Sequence, residues 1–250
     1  MKWDQELRLA ETAARRAGAL LRHAMRRDKK VLSEEGHDIK LQADRDAEAV
    51  ILETLQTSPF NILAEESGEH GALDSGEPFW IVDPLDGTLN FSRNIPLCCI
   101  SIALSRPDDP IVGVVYDFNA DDLFTGIVGG GAWWNGDPMS VSAIADAAQG
   151  VLATGFPVNF VYSEAGLQEY LTSVRRFKKV RKFGTAALSL AWVACGRVDA
   201  YAEDDIMYWD VAGGLALVRA AGGYVRIEPS STLKWARKVR CASHESIWTL

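Results

Sequence analysis

Apolar residues recur at three- and four-residue steps early in the chain, at Trp3, Leu7, Ala10, Ala14, Ala17 and Leu21, with most of the arginines between them. That spacing predicts one amphipathic helix over 3–27. The polar stretch DKKVLSEEGHD, which holds Gly36, predicts a loop or hairpin. A second helix is expected from Arg45 to Leu55, ending before Ser58-Pro59. Short apolar runs then replace the helical period: NILA at 61–64, FWIV at 79–82, and LCCISIAL and IVGVVYDF at 97–104 and 111–118. These read as strands, and Leu123–Val128 as a further one leading into GGGAWWNGDP. That glycine-rich segment lacks the lysine and hydroxyl of a nucleotide-binding loop, so it reads as a turn beside a hairpin.

Small and acidic residues between Ala143 and Gly150 mark a boundary, separating 1–143 from 144–250. VLATGFP follows as a strand and turn. Helices are expected over Ser163–Phe177, Thr185–Cys195 and Trp209–Ala221, the last stopped by Gly222-Gly223. Strands are expected at Val198–Ala202, 225–227 and 239–241, and a short terminal helix from His244 to Leu250. Helices and strands alternating in both halves predict an α/β-layered architecture without fixing its topology.

Composition narrows the class. With 250 residues, 48% apolar and 24% charged, the chain has room for one large domain or two close lobes of ordinary soluble character. A net charge of -8 argues against a duplex nucleic-acid binder. It does not argue against small anions, because one metal ion inverts a local field. The basic run RRFKKVRK at 175–182 reads as a solvated helix and strand edge. Cys98, Cys99, Cys195 and Cys241 form no CxxC pair and read as buried thiols of a reduced cytoplasmic protein. The charged start MKWDQELRLAETAARR carries no signal core, and no run of about 18 apolar residues predicts a membrane span.

Five carboxylates stand out by placement: Glu65, Glu66, Asp83, Asp86 and Asp210. The first four directly follow apolar strands, where a sheet opens toward ligand. Asp-Pro and Asp-Gly are also ordinary turn pairs, and capping alone would place Asp210 at a helix start. Clustered carboxylates repel unless protonated or bridged by cations, and hard oxygen donors suit Mg²⁺ or Mn²⁺ over zinc. His23, His37, His70 and His244 are scattered and read as surface residues. Gly87-Thr88 can open a turn whose N–H groups face a phosphate, with metals opposite. The Thr88 hydroxyl either caps a helix or orients a water. Glu203-Asp204-Asp205 reads as a solvated acidic loop. No serine or cysteine lies in a nucleophile motif such as GxSxG.

WIVDPLDGTLNF is similar to the DPxDGTxNF block of the inositol monophosphatase family, part of the lithium-sensitive, magnesium-dependent phosphatase superfamily. LAEESG resembles that family's upstream acidic block, WDVAGGLALVRAAGG its third block, and FGTAALSLAWVACGRVDAYAE the segment before it. The resemblance covers nearly the whole chain. It implies an alternating α-β-α-β-α sandwich, a homodimer, and two or three Mg²⁺ ions, with Mn²⁺ substituting and Li⁺ inhibiting. It implies metal ligation by Glu65, Asp83, Asp86, Asp210 and the Leu85 carbonyl, and a water positioned by Glu65 and Thr88. The amides of Gly87 and Thr88 would hold phosphate. Glu66 and Asp44 would support the site, and Gly184, Thr185, Ala186 and Glu203 would face the substrate. The implied substrate is a small phosphorylated metabolite, inositol monophosphate or a similar sugar or polyol phosphate. The family also holds enzymes for histidinol phosphate, fructose 1,6-bisphosphate and adenosine 3',5'-bisphosphate; the modest length leans toward the simple monophosphatases. A non-catalytic metal-dependent binding protein is the competing class, disfavoured because every ligand position is intact. The approach to Asp44, DIKLQAD, departs from the threonine-rich approach common in the family, and Lys29 and Lys30 lie further back than its usual loop lysine.

Overall fold

In the computed structural model, which describes residues 2–25, 30–35, 38–156, 163–231 and 233–249, the first apolar stripe forms helix α1 (Asp4–Met25). It buries Leu7, Ala10, Ala13, Ala14, Ala17, Gly18 and Leu21, with acids in its first turn and Arg22 and His23 in its last, as the helix dipole favours. Residues 26 and 27 of the expected helix lie outside the described residues, as do Gly36, His37 and Lys29. The polar stretch pairs as an antiparallel hairpin, β1 (Val31–Glu35) with β2 (Asp38–Leu41). Helix α2 (Gln42–Leu55) begins three residues before the expected Arg45. Its start is fixed by the Asp44 carboxylate, which accepts the Leu41 N–H at 2.5 Å.

The next segment builds an eight-stranded sheet from β3 (Ile62–Ala64), β4 (Gly68–His70), β5 (Phe79–Asp86), β6 (Cys99–Arg106), β7 (Asp109–Asp117), β8 (Asp122–Ile127), β9 (Gly131–Trp134) and β10 (Asp137–Pro138). The spatial order is β10-β9-β8-β7-β6-β5-β3-β4, and a short helix, α3 (Thr88–Ser92), follows β5. Both faces of this sheet are covered, which is why its strands read as unbroken apolar runs. Ile62, Trp80, Val82, Ile102, Val114 and Tyr116 pack toward α1 and α2. Their sequence neighbours Leu63, Phe79, Ile81, Ala103 and Val115 pack into a second core on the other side.

The rest of the chain gives β11 (Val151–Thr154), α4 (Glu164–Val174), β12 (Lys179–Arg181), α5 (Ala186–Ala194), β13 (Ala200–Met207), α6 (Tyr208–Ala220), β14 (Tyr224–Pro229) and β15 (Ala236–Ala242). The five strands order as β12-β11-β13-β15-β14. Helices α5 and α6 lie between the two sheets, so they are apolar on nearly every side. Phe177 and Trp248 cover the outer face of the small sheet, against Leu152, Ala200, Ala202 and Ala242. The layers therefore run α1/α2, large sheet, α5/α6, small sheet, α4: an alternating α-β-α-β-α sandwich.

Three local readings need correction. Strand β5 continues four residues past Val82, through Asp83-Pro84-Leu85-Asp86. The acidic Glu203-Asp204-Asp205 is no solvated loop but part of β13, which runs to Met207 and bulges between Glu203 and Ile206. Arg240 binds Asp204 at 2.7 Å and Ser230 binds Asp205, so the small sheet's own polar side chains hold the acids. Among the described residues the last element is a 3-10 turn, Glu245–Ile247, in place of the expected terminal helix from His244 to Leu250.

Candidate active site

Strands β3 and β5 are parallel, with Ala64 opposite Val82, so Glu65, just past the end of β3, comes beside Asp83, which continues β5. The Glu65 N–H donates to the Val82 carbonyl at 3.1 Å, which fixes that register. Asp210 arrives from the first turn of α6. Each of Glu65, Asp83 and Asp210 offers a carboxylate oxygen, all within 4.8 Å of one another. The approach of α6 is set by small residues. A Cβ on Gly213 would lie 2.7 Å from Ser101 Oγ, and one on Gly214 would lie 2.3 Å from the Leu190 side chain of α5. Glycine pairs cost helix stability, about 1 kcal/mol each relative to alanine. Here they let α6 fit between sheet and helix and bring Asp210 to the cluster. Ser101, opposite Asp83 on β6, donates to the Trp209 carbonyl at 3.4 Å.

Asp83 and Asp86 are three apart and would face opposite sides of a regular strand. The ladder between β5 and β6 shifts there: Asp83 pairs with Ser101, and Asp86 with Cys99. One extra residue on β5 is a bulge, and Pro84, which has no N–H to give a ladder, sits in it. The bulge turns Asp86 to the same side as Asp83. Its Oδ2 accepts from the Thr185 hydroxyl (2.5 Å) and the Ala187 N–H (2.6 Å), which ties it to the start of α5. Asp86 thus stands beside the trio with one oxygen already engaged by protein.

Burial drives the Asp83 carboxyl well above its ordinary range, and the charges of Glu65, Asp86 and Asp210 push the same way. Asp210 is raised by burial, then by Glu65 and Asp86. Asp86 is pushed up to about 6 by burial, against the bonds from Thr185 and Ala187. An all-oxygen cluster whose members resist ionisation for lack of a counter-charge fits a hard divalent cation.

Gly87 follows with φ of 91° and starts α3. A Cβ there would meet the Leu97 carbonyl at 2.9 Å, so both conformation and space demand glycine. Thr88 Oγ1 lies 3.0 Å from the Leu85 carbonyl and 3.3 Å from Asp44 Oδ1, and its single proton serves one of them at a time. Asp44 is buried and pushed up to about 7, by burial first, with the Leu41 N–H opposing and Glu66 adding to the rise. The Leu85 N–H donates to Asp83 Oδ1 at 2.9 Å. Glu66 donates its N–H to the buried Glu48 carboxylate at 2.9 Å, which anchors the acidic loop to α2.

Beside Asp86 and Asp210 opens a cleft of 270 Å³, whose lining includes Gly184, Thr185, Ala186, Tyr201 and Glu203. Glu203 takes the Tyr201 hydroxyl at 2.7 Å and is pushed up to about 7, chiefly by burial. A Cβ on Gly155 would lie 2.3 Å from the Glu203 carboxylate, so that glycine makes room for the acid. Asp210 belongs both to the carboxylate trio and to the cleft lining, and so joins the trio to Asp86, Gly184, Thr185, Ala186 and Glu203.

The sequence matches the Inositol monophosphatase family over residues 2–247. The chain belongs to that family. It is 36% identical over 251 residues to the inositol monophosphatase of Dictyostelium discoideum, covering 96% of this chain and 91% of that one. A protein named Nus factor SuhB from Xylella fastidiosa is 40% identical over 218 residues, 85% of this chain and 78% of the relative. Among solved structures, the inositol monophosphatase of Anabaena superposes with a TM-score of 0.84 at 36% identity, covering 99% of this chain and 93% of that one.

Four polar residues of this inositol monophosphatase family member escape sequence reasoning. Asn90 donates from Nδ2 to the Leu97 and Phe183 carbonyls (2.7 and 2.8 Å), joining α3 to the loop before α5. Its place in DGTLNF was the available signal. Glu48 falls four residues after Asp44 on an otherwise apolar helix face, a detectable acid pair. Ser101 is a lone hydroxyl in an apolar strand, and Tyr201 shares a strand face with Glu203. Neither carries a signal before the sheets are assembled.

Proposed function

We propose that the chain is a magnesium-dependent phosphomonoesterase that hydrolyses inositol monophosphate or a similar sugar or polyol phosphate. The convergence of Glu65, Asp83 and Asp210 within 4.8 Å, beside a cleft, is the observation that carries this reading. Glu65, Asp83, Asp86, Asp210 and the Leu85 carbonyl would hold two or three divalent ions, Mg²⁺ by preference, with Mn²⁺ as substitute and Li⁺ as inhibitor. When bound, the ions supply positive charge that polarises the phosphoryl group and acidifies water. The ligands come from both sides of the boundary near residue 143, so 1–143 and 144–250 act as two lobes of one site.

The chain's own groups orient the reaction. The first amides of a helix have no intrahelical acceptor, so those of Gly87 and Thr88 are suited to phosphate oxygens. With its proton given to Leu85 or Asp44, the Thr88 oxygen presents lone pairs that accept from the attacking water. Glu65 fixes that water from the other side, for direct displacement at phosphorus. Glu66 and Asp44 hold the loop and the threonine in place. Gly184, Thr185 and Ala186 shape the wall for the organic half of the ester, and the Glu203 carboxylate accepts from its hydroxyls. The same reading carries a homodimer in the cytoplasm; among the described residues no helix is long and apolar enough to cross a membrane.

Phosphate release from a panel of sugar, polyol, amino-alcohol and nucleotide phosphates, with and without exhaustive chelation, tests the proposal. Mg²⁺-dependent release from polyol phosphates is expected. Full activity after chelation, or no hydrolysis of any ester with Mg²⁺ restored, overturns it.

A further inference from the structure

We propose that Lys182 is a specificity-determining residue and that the preferred substrate is a polyhydroxy phosphate ester carrying a carboxylate, a sugar-acid phosphate. This rests on the phosphatase reading above and names the substrate class within it.

The cleft is lined by three carboxylates, Asp86, Asp210 and Glu203, and by one cationic side chain among the described residues, Lys182. Lys182 directly follows β12 and precedes the Gly184-Thr185-Ala186 wall. It is exposed, yet its ammonium lies 3.8 Å from the centroid of the Phe156 ring. Phe156 packs in turn on Tyr170, with ring centroids 4.6 Å apart. A cation–π contact of this kind restrains a side chain that would otherwise sample many rotamers. Lys182 forms no ion pair among the described residues, although Glu203 feels its charge.

Exposure orders the cleft. Asp86 is buried at its floor, Asp210 and Glu203 are half-buried, and Lys182 stands at the mouth. Divalent ions and phosphate would balance the acids at the floor, and Glu203 accepts from hydroxyls. Among the described residues the ammonium then remains without an ion-paired carboxylate, on the side where the organic half of the ester ends. A neutral polyol leaves it solvated, whereas an anionic end gives it a partner. One ammonium matches the single charge of a carboxylate. A second phosphate brings nearly two charges, and the neighbouring Glu203 makes that surplus unfavourable.

Three esters that differ only at C1 supply the test: glucitol 6-phosphate (hydroxymethyl), 6-phosphogluconate (carboxylate) and glucitol 1,6-bisphosphate (phosphate). Their kcat/KM values are measured on the Mg²⁺-loaded enzyme and on Lys182→Gln, Lys182→Arg and Lys182→Glu. The wild type should prefer 6-phosphogluconate over glucitol 6-phosphate by about 5- to 30-fold, the range for one partly solvated charge contact. In Lys182→Gln that ratio should collapse through KM, in Lys182→Arg it should persist, and in Lys182→Glu it should invert. Raising the ionic strength should reduce the wild-type ratio. A ratio unaltered in Lys182→Gln overturns the proposal, as does a wild-type preference for the bisphosphate or for glucitol 6-phosphate. Phosphate released from none of the three while inositol monophosphate is hydrolysed overturns this proposal alone, whereas release from no ester at all sinks the phosphatase reading with it, so the two failures are told apart.

Discussion

Replacing Asp83 by asparagine should stabilise the metal-free protein while removing its response to Mg²⁺. Asp83 is 1% exposed, and its carboxylate has two others within 4.8 Å. Two full charges at that distance repel by about 3.5 kcal/mol at an effective dielectric of 20. The fold evades most of this by keeping protons, which is what the raised pKa values express, at about 1.4 kcal/mol per unit. Asparagine keeps an Oδ1 to accept the Leu85 N–H and carries no charge. A net gain of about 1–3 kcal/mol is expected at pH 8, or a rise in Tm of about 2–10 °C for a chain of this size. The sign with pH follows from carboxyls that bind protons more tightly folded than unfolded. Their contribution is complete below the ordinary value and is lost as pH rises through the folded one, from 3.8 to about 6 for Asp86. Asp83 and Asp210 act in the same direction. Metal-free wild type should therefore lose stability as pH rises from 4, and Asp83→Asn should lose less. The assay is circular-dichroism melting after chelation, across pH and with Mg²⁺ restored, alongside phosphate release. A variant that melts below wild type at pH 8 without metal, that gains as much from Mg²⁺, or that keeps near-normal kcat would refute the reasoning.

Three further outcomes are expected. Thr88→Ala should lower kcat more than it raises KM, because water orientation counts mainly in the transition state; a pure KM effect in steady-state kinetics would reassign Thr88 to ground-state phosphate binding. Glu203→Gln should cost about 5- to 150-fold in kcat/KM on a polyol phosphate and little on an aryl phosphate without hydroxyls, an expectation that equal losses on both would contradict. Arg237, 4% exposed, pairs with Asp108 across the two sheets and lies 4.8 Å from the Tyr208 ring at the start of α6. Its replacement by glutamine should cost about 2–4 kcal/mol in urea denaturation, the buried-pair range discounted because Asp108 is partly exposed; a loss under 0.5 kcal/mol, about a surface effect, would refute that.

Layering was legible in the sequence because it depends on local periodicity, and the acidic blocks because they sit where apolar runs stop. Asp210 could be linked to Glu65 and Asp83 only through family resemblance, since nothing in its own neighbourhood indicates which strands α6 packs on. That depends on Gly213 and Gly214 meeting Ser101 and Leu190, contacts remote in sequence. The bulge that turns Asp86 beside Asp83 was signalled by Pro84 but was read as the end of the strand. Glu203-Asp204-Asp205 misled because three acids in a row are usually solvated, whereas here Arg240, Ser230 and Tyr201 take them up from neighbouring positions. Pairing with residues distant in sequence outweighed local composition in that segment.

The basic run at 175–182 has a consequence for how copies of the chain avoid one another. Arg176 donates to the Ile247 and Thr249 carbonyls (3.1 and 3.3 Å) and closes the chain's end over the small sheet. Lys179, Val180 and Arg181 form β12, which among the described residues pairs with β11 alone, leaving one side of its backbone open at the rim of that sheet. An open rim is a template for strands of other molecules, above all while the chain is being synthesised and its partners are incomplete. Exposed Lys179 and Arg181 place like charges on any second copy that docks there, and three residues give it little length to grip. The densest positive charge in an acidic protein thus guards against aggregation by strand addition.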